Sequence, residues 1–323
     1  MAASKKGKAG VSSPKRSPEH GLTFIVPAYN EENAISSTLA RLHKALMEQD
    51  LPFEIIVVND GSTDQTRQRA EVCDGARVID HPINTGYGSA IKSGVRVAKY
   101  DWVGIVDADG TYEIEKVGML IDKMKNGFDM VIASRENVFD TDRPFKRLAR
   151  RILLSFLGLW VSGKIKDPNS GFRIFKRDFV ETFYPFLCDT FSFTTSSTIF
   201  AIGEGYFVTF IPMQYFKRTG KSKVRHLRDS LRMMQLILQG ITFFNPLKFF
   251  ILLILLLLFF VMVPAFLLTI IGYEVLGDFV ATAGAWSILL LGLGVLGDIV
   301  RVAMTSHTDT KHAARKSQYA PPK

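Results

Sequence analysis

Cysteine is scarce in this chain, with only Cys73 and Cys188. They have no metal-ligand spacing, and two distant thiols suit a reducing compartment better than a disulfide framework. None of the six histidines pairs at a ligand spacing, so no zinc centre is expected. No Gly-x-Gly-x-x-Gly follows the first apolar run, which argues against a dinucleotide-dependent reductase. Residues 1–20 lack the apolar stretch of a secretory signal. They carry Lys5, Lys6, Lys8, Lys15 and Arg16 among small residues and proline, a composition that cannot bury a core. A disordered basic tail is expected there, and it accounts for part of the net charge of +9.

Charge is missing altogether from two long stretches. The first covers 23 residues, Phe249 to Ile271, and the second runs from Phe279 to Gly297. A transmembrane helix needs about 20 apolar residues, and the linker between the two is too short for a domain. A helical hairpin is therefore expected, with spans at about 247–272 and 279–304. Arg225, Arg228, Arg232 and Lys248 precede it, Arg301, Lys311, Arg315 and Lys316 follow it, and the loop holds only Glu274 and Asp278. Basic flanks stay on the cytoplasmic side, which predicts an integral membrane protein with both termini and the N-terminal domain in the cytoplasm.

What is present upstream is a βα alternation. "LTFIVP", "FEIIVVND", "ARVIDH" and "DWVGIVDAD" read as strands, and the segments Ala28–Gln49, Gln65–Cys73 and Gly86–Lys99 read as helices. The first helix has Ile35, Leu39, Leu42 and Leu46 on one face, with an asparagine and acids at its start. Such alternation predicts a mostly parallel sheet, whose ligands bind beyond the carboxyl ends of the strands. Three of those ends carry polar clusters, at Ala28–Glu32, Asn59–Ser62 and Asp107–Asp109. A solvated loop explains one such cluster more easily than three. Further on, "DRPFKRLARRILLSFLGLW" and "VRHLRDSLRMMQLILQGITFF" mix basic and apolar residues. Both are expected to be interfacial amphipathic helices, over 143–161 and 224–244.

Asp107 and Asp109 lie one residue apart at a strand end, where two carboxylates repel unless a cation lies between them. A hard divalent ion, Mg²⁺ or Mn²⁺, suits that pair and commonly shares its shell with substrate phosphates. Asp60 closes another strand and is placed to accept a hydrogen bond from a nucleobase or ribose; an Asp-Gly turn is the plainer reading.

The segments "VPAYNEE", "VVNDGSTDQT", "NTGYGSAIKSG", "VDADGTY", "DPNSGFRIFKRD" and "KRTGKSKVR" follow one another in an order that resembles family 2 glycosyltransferases. The likeness is nearest to the polyprenyl-phosphate branch, which includes dolichol-phosphate mannose synthases and bacterial polyprenyl-phosphate glucosyltransferases, and it covers roughly residues 21–245. It implies a GT-A type, Rossmann-like α/β fold. Pro27, Tyr29, Glu31 and Asp60 match the nucleotide pocket. Asp107, Ala108 and Asp109 match the metal and diphosphate site. Asp167 matches an acidic residue important for transfer. Arg135 and either Arg151 with Ser155 or Arg147 match the acceptor-phosphate contacts, and Arg218, Ser222 and Lys223 match a mobile basic loop over the diphosphate.

The implied reaction is metal-dependent transfer of a hexose from a nucleotide-sugar donor to a dolichyl or undecaprenyl phosphate, with inversion. The implied partners are donor, lipid acceptor and bilayer, without nucleic acid; relatives that self-associate through membrane helices leave a homo-oligomer open. Two departures affect the sugar: Thr111 stands where mannose synthases often have glutamine, and "FTTSST" at 193–198 stands where many relatives have an acid. A processive polysaccharide synthase is disfavoured because the interfacial segment lacks Gln-x-x-Arg-Trp. A membrane-bound binding protein with a decayed site is disfavoured because the acidic residues and Arg218 are all present. The expected organisation is a tail over 1–20, a catalytic domain over 21–223, an interfacial helix over 224–246, the hairpin over 247–304 and a second tail over 305–323.

Overall fold

The computed structural model describes residues 19–136, 165–216, 245–274 and 276–305, together with Gln235, Leu238 and Thr242. A seven-stranded sheet has the order β3-β2-β1-β4-β6-β5-β7. Its strands are β1 (Glu19–Ala28), β2 (Phe53–Asp60), β3 (Ala76–His81), β4 (Tyr100–Ile105), β5 (Met130–Arg135), β6 (Arg173–Lys176) and β7 (Val208–Met213). The β1–β2, β2–β3, β1–β4 and β5–β7 pairs are parallel. Only β6 runs the other way, antiparallel to both β4 and β5.

Side chains alternate across β1, and this sorts the core into two layers. Phe24 and Val26 point to the layer that also takes Leu39 and Leu42 of α1 (Ile35–Met47) and Val117 and Leu120 of α4 (Val117–Lys125). Ile25 points to the other, with Ile91 and Val95 of α3 (Tyr87–Val97) and Phe179 of α5 (Arg177–Phe183). Because both faces are covered, the inner strands are apolar throughout rather than alternating. The short α2 (Thr66–Glu71) and α6 (Phe193–Gly203) complete the domain.

The four expected strands and three expected helices between residues 22 and 109 stand in their places, with one difference at the first helix. It starts at Ile35, and no side chain caps it. The polar residues before it instead tie two loops together: Glu32 Oε2 accepts the Gln65 N–H at 3.1 Å, and Asn30 Oδ1 accepts the Thr63 N–H at 2.8 Å.

Two helices, α7 (Pro246–Ile270) and α8 (Leu276–Thr305), have the length and apolarity to cross a membrane. They pack against each other where Gly294 and Gly297 of α8 come close to Leu247, Phe250 and Pro246 of α7. A Cβ at Gly297 would lie 2.9 Å from that of Pro246. Small residues of this kind let apolar helices approach where lipid offers no hydrophobic drive to pair them.

Candidate active site

The chain winds from β1 out to β3 and then crosses to β4 on the other side of β1, which opens a crevice at the carboxyl ends of β1 and β4. Just past β4, Asp107 is half-buried and Asp109 is buried, with Ala108 packed in the core between them. Helix α1 holds this loop from behind. Thr38 Oγ1 donates to the Ala108 carbonyl at 3.0 Å, and Arg41 Nη2 donates to the Tyr112 carbonyl at 3.0 Å. Arg41 also pairs with Glu115 at 2.6 Å, and that bond raises the guanidinium pKa and lowers the carboxyl's.

Each carboxylate is oriented by a neighbour. Tyr87, the first residue of α3, donates its hydroxyl to Asp107 Oδ1 at 2.7 Å. Burial, then the charge of Asp107, push the Tyr87 pKa well up, so the group stays a donor. Asp109 Oδ1 accepts both the backbone N–H and the hydroxyl of Thr111, at 3.2 and 2.7 Å. The hydroxyl of Thr111 is thus engaged in holding the second aspartate.

Asp60 is buried at the end of β2, and both of its oxygens are engaged within the fold. Oδ1 accepts from the Thr85 N–H and hydroxyl, each at 2.9 Å, and from His81 Nδ1 at 2.7 Å; Oδ2 accepts the Gly86 N–H at 2.8 Å. With its proton on Nδ1, His81 accepts from Ser93 Oγ at Nε2, 2.9 Å away. Burial alone would raise the Asp60 pKa, but these bonds outweigh it and hold the carboxyl below its ordinary value. Asp60 is therefore an anchor for the 81–86 loop, a role that its sequence context did not suggest. Pro27 is buried at the end of β1, and Tyr29 and Glu31 stand half-buried beyond it.

The reversed direction of β6 decides the opposite flank. Ile105, at the end of β4, pairs with Arg173, so the segment leading into β6 lies at the carboxyl end of the sheet. A parallel strand would have delivered it to the other end. That segment brings Asp167 to Arg135 at the end of β5, with Nε–Oδ2 at 2.7 Å and Nη2–Oδ1 at 2.8 Å. Arg135 also lies over the Tyr215 ring, 5.2 Å from its centroid. Burial opposes the Arg135 charge, but Tyr112 and the Asp167 pair outweigh it and raise its pKa. Gly171 backs directly onto the Asp107–Asp109 loop: a Cβ there would lie 2.5 Å from both oxygens of Asp107. Only glycine allows that approach, and Tyr112 secures it by accepting the Gly171 N–H at 2.7 Å.

Arg173 is fully buried. Among the described residues its guanidinium donates to neutral oxygens: the Pro168, Ser170 and Thr194 carbonyls and the Ser197 and Thr198 hydroxyls. Burial lowers its pKa to about 10, which still leaves it charged at neutral pH. The "FTTSST" run forms the first turns of α6 and supplies three of those acceptors.

Residues 23–183 match the sequence model of glycosyl transferase family 2. The chain belongs to that family. It is 34% identical over 181 residues to a dolichyl-phosphate beta-glucosyltransferase of Trichomonas vaginalis, an alignment that covers 50% of this chain and 55% of the relative. It is 26% identical over 308 residues to an undecaprenyl-phosphate 4-deoxy-4-formamido-L-arabinose transferase of Pseudomonas fluorescens, covering 87% of this chain and 84% of that one. The chain thus spans little more than half the length of the first of these relatives. Among solved structures, a glucosyl-3-phosphoglycerate synthase of Mycobacterium tuberculosis, in complex with Mn²⁺, UDP-glucose and phosphoglyceric acid, superposes with a TM-score of 0.56. At 20% identity, covering 69% of this chain and 80% of that one, the likeness establishes the GT-A fold.

Within this family 2 domain, Pro27, Tyr29, Glu31, Asp60, Asp107, Ala108, Asp109, Arg135 and Asp167 all gather at one end of the sheet. Arg147, Arg151, Ser155, Arg218, Ser222 and Lys223 lie outside the described residues, as do the segment 143–161 and almost all of 224–244. Sequence reasoning passed over Tyr87, Tyr112, Gly171 and Arg173. For all four there was a signal, since Tyr87 stands inside "NTGYGSAIKSG", Tyr112 inside "VDADGTY", and Gly171 and Arg173 inside "DPNSGFRIFKRD". Which groups they touch follows only from the fold.

Proposed function

We propose that this chain transfers a sugar from a nucleotide-sugar donor to a polyprenyl phosphate, inverting the anomeric centre. The observation that carries the reading is the meeting of the Asp107–Asp109 loop with the Arg135–Asp167 pair across one crevice. The transferases of lipid phosphates among the relatives support it. A phosphate oxygen of the acceptor attacks the anomeric carbon. The bond from that carbon to the diphosphate breaks, and its electron pair leaves on the nucleoside diphosphate. A phosphomonoester is already largely ionised near neutral pH, so no strong general base is needed.

Asp107 and Asp109 supply hard oxygen donors that fit Mg²⁺ or Mn²⁺. Among the described residues no three His, Cys, Asp or Glu side chains form a complete cage, so phosphate and water would fill the rest of the shell. Such an ion neutralises charge on the departing diphosphate. Asp167 holds Arg135 by two of its nitrogens, which presents the remaining edge of the fork to the acceptor phosphate. Arg147 or Arg151, with Ser155, would complete that contact, and Arg218, Ser222 and Lys223 would cover the donor diphosphate.

In this reading the domain over 21–223 works at the headgroup plane, helped by the interfacial segments. The hairpin over 247–304 spans the bilayer with its basic flanks and both tails in the cytoplasm.

The test is to incubate detergent-solubilised protein with Mn²⁺, a short polyprenyl phosphate and a panel of radiolabelled sugar nucleotides. Label from one donor should enter the organic phase, and both EDTA and Asp109→Asn should abolish this. No transfer from any donor, with lipid binding intact, would remove the transferase reading.

A further inference from the structure

Tyr87 does two things at once. Its hydroxyl holds Asp107 Oδ1 at 2.7 Å. Its ring stacks on Phe191, centroids 5.7 Å apart and planes 17° from parallel. Phe191 is 43% exposed, so burial alone does not explain an aromatic residue there. It belongs to a strap, residues 187–191, that is fastened to the start of α3. The Ser89 N–H donates to the Asp189 carbonyl at 2.9 Å, and Lys92 Nζ donates to the Leu187 carbonyl and pairs with Asp189 Oδ1 at 2.7 Å. From the other side, the bare backbone of Gly171 limits where the same carboxylate can go. The Asp107 carboxylate is thus confined between a hydroxyl donor and a glycine wall.

We propose that Tyr87 is a positioning residue for the metal-binding carboxylate of Asp107, and that the 187–191 strap sets its aim through the Phe191 ring. The inference rests on the reading of Asp107 and Asp109 as metal ligands. A group that orients a ligand commonly contributes about 10–100-fold to metal affinity or activity. Tyr87 cannot bind the diphosphate by charge, so its contribution should appear in metal affinity and not in sugar or lipid selectivity. Phe191 acts one step further out and should have a smaller effect in the same direction.

The experiment titrates Mn²⁺ alone into the metal-free full-length protein in detergent and follows the free ion by electron paramagnetic resonance. Tyr87→Phe keeps the ring and its stacking, so it should weaken Mn²⁺ binding about tenfold while leaving the unfolding midpoint in place. Raising Mn²⁺ should restore its turnover, which general damage to the fold would not allow. Phe191→Leu, which keeps the hydroxyl, should weaken binding about threefold. Equal Mn²⁺ affinity in wild type and Tyr87→Phe would overturn the assignment and leave the metal site standing. Wild-type protein that binds no Mn²⁺, in common with Asp107→Asn, would overturn the metal reading and this inference together.

Discussion

On the β2–β3 flank of the crevice, Asp60 is held by backbone N–H groups, a threonine hydroxyl and His81, all within 26 residues of it in the chain. On the β5–β6 flank, two arginines are the groups held. Arg135 takes Asp167 from 32 residues away, and Arg173 takes carbonyls and hydroxyls 3 to 25 residues away. The first flank holds an anion: one carboxylate ends a strand and organises the loop that follows. The second holds cations, one paired with a carboxylate and one buried completely among neutral oxygens. Burying a charge without a carboxylate bonded to it is costly unless every donor is satisfied. That cost marks the second flank as the one whose exact shape matters, and it should be the less forgiving.

Arg173→Met tests this contrast most severely. It leaves the Pro168, Ser170 and Thr194 carbonyls without their guanidinium donor, and losing several buried bonds at once should cost about 3–5 kcal/mol. Denaturant unfolding of the solubilised protein reads this directly, and a loss below about 1 kcal/mol would erase the distinction between the flanks.

Asp167→Asn comes next. It keeps the shape but leaves Arg135 without its bidentate partner. Turnover should fall about 100-fold, with a smaller change in donor KM, as expected for loss of a charged positioning contact in a transfer site. An unchanged turnover would show that Arg135 is held well enough by Tyr215 alone.

Asp60→Asn should be milder, costing about 1–2 kcal/mol and raising the donor KM about fivefold as the 81–86 loop loosens. If it proved as damaging as Arg173→Met, the β2–β3 flank would be the critical one.

The smallest effect is a pH dependence that separates the same two variants. The Asp60 carboxyl is held below its ordinary value of 3.8. Its stabilisation is complete above that value and is lost as pH falls through the lower, folded-state pKa. The stability gap between wild type and Asp60→Asn should therefore stay flat from about pH 5 to 8 and close below about pH 4. Arg173, still charged well above neutrality, should give a gap that is constant throughout that range.

The same contrast explains what could be read in advance. The strand ends at Ala28–Glu32, Asn59–Ser62 and Asp107–Asp109 were legible because a parallel βα unit delivers every strand's carboxyl end to one edge, so residue order alone collects them. The anchoring of the 81–86 loop by Asp60 was not legible, because nothing in residues 59–62 announces that the 81–86 backbone folds back onto that carboxylate. Arg135 was assigned to the acceptor, and its bond to Asp167 was missed, because β6 inserts antiparallel between β4 and β5. No periodicity in the chain announces that insertion.

By itself, then, the sequence determined the class of the molecule: an α/β domain with acidic strand ends, followed by two uncharged stretches long enough to span a bilayer. These features follow from short-range hydrophobic period and from uninterrupted apolar length, which are properties of neighbouring residues. Only the tertiary structure decided which groups meet at the crevice: Tyr87 with Asp107, Asp167 with Arg135, Gly171 against the Asp107 carboxylate and Arg173 with Thr194. Those contacts join residues about 20 or more positions apart in most cases. They arise from strand order and direction, which the local pattern of a chain does not encode.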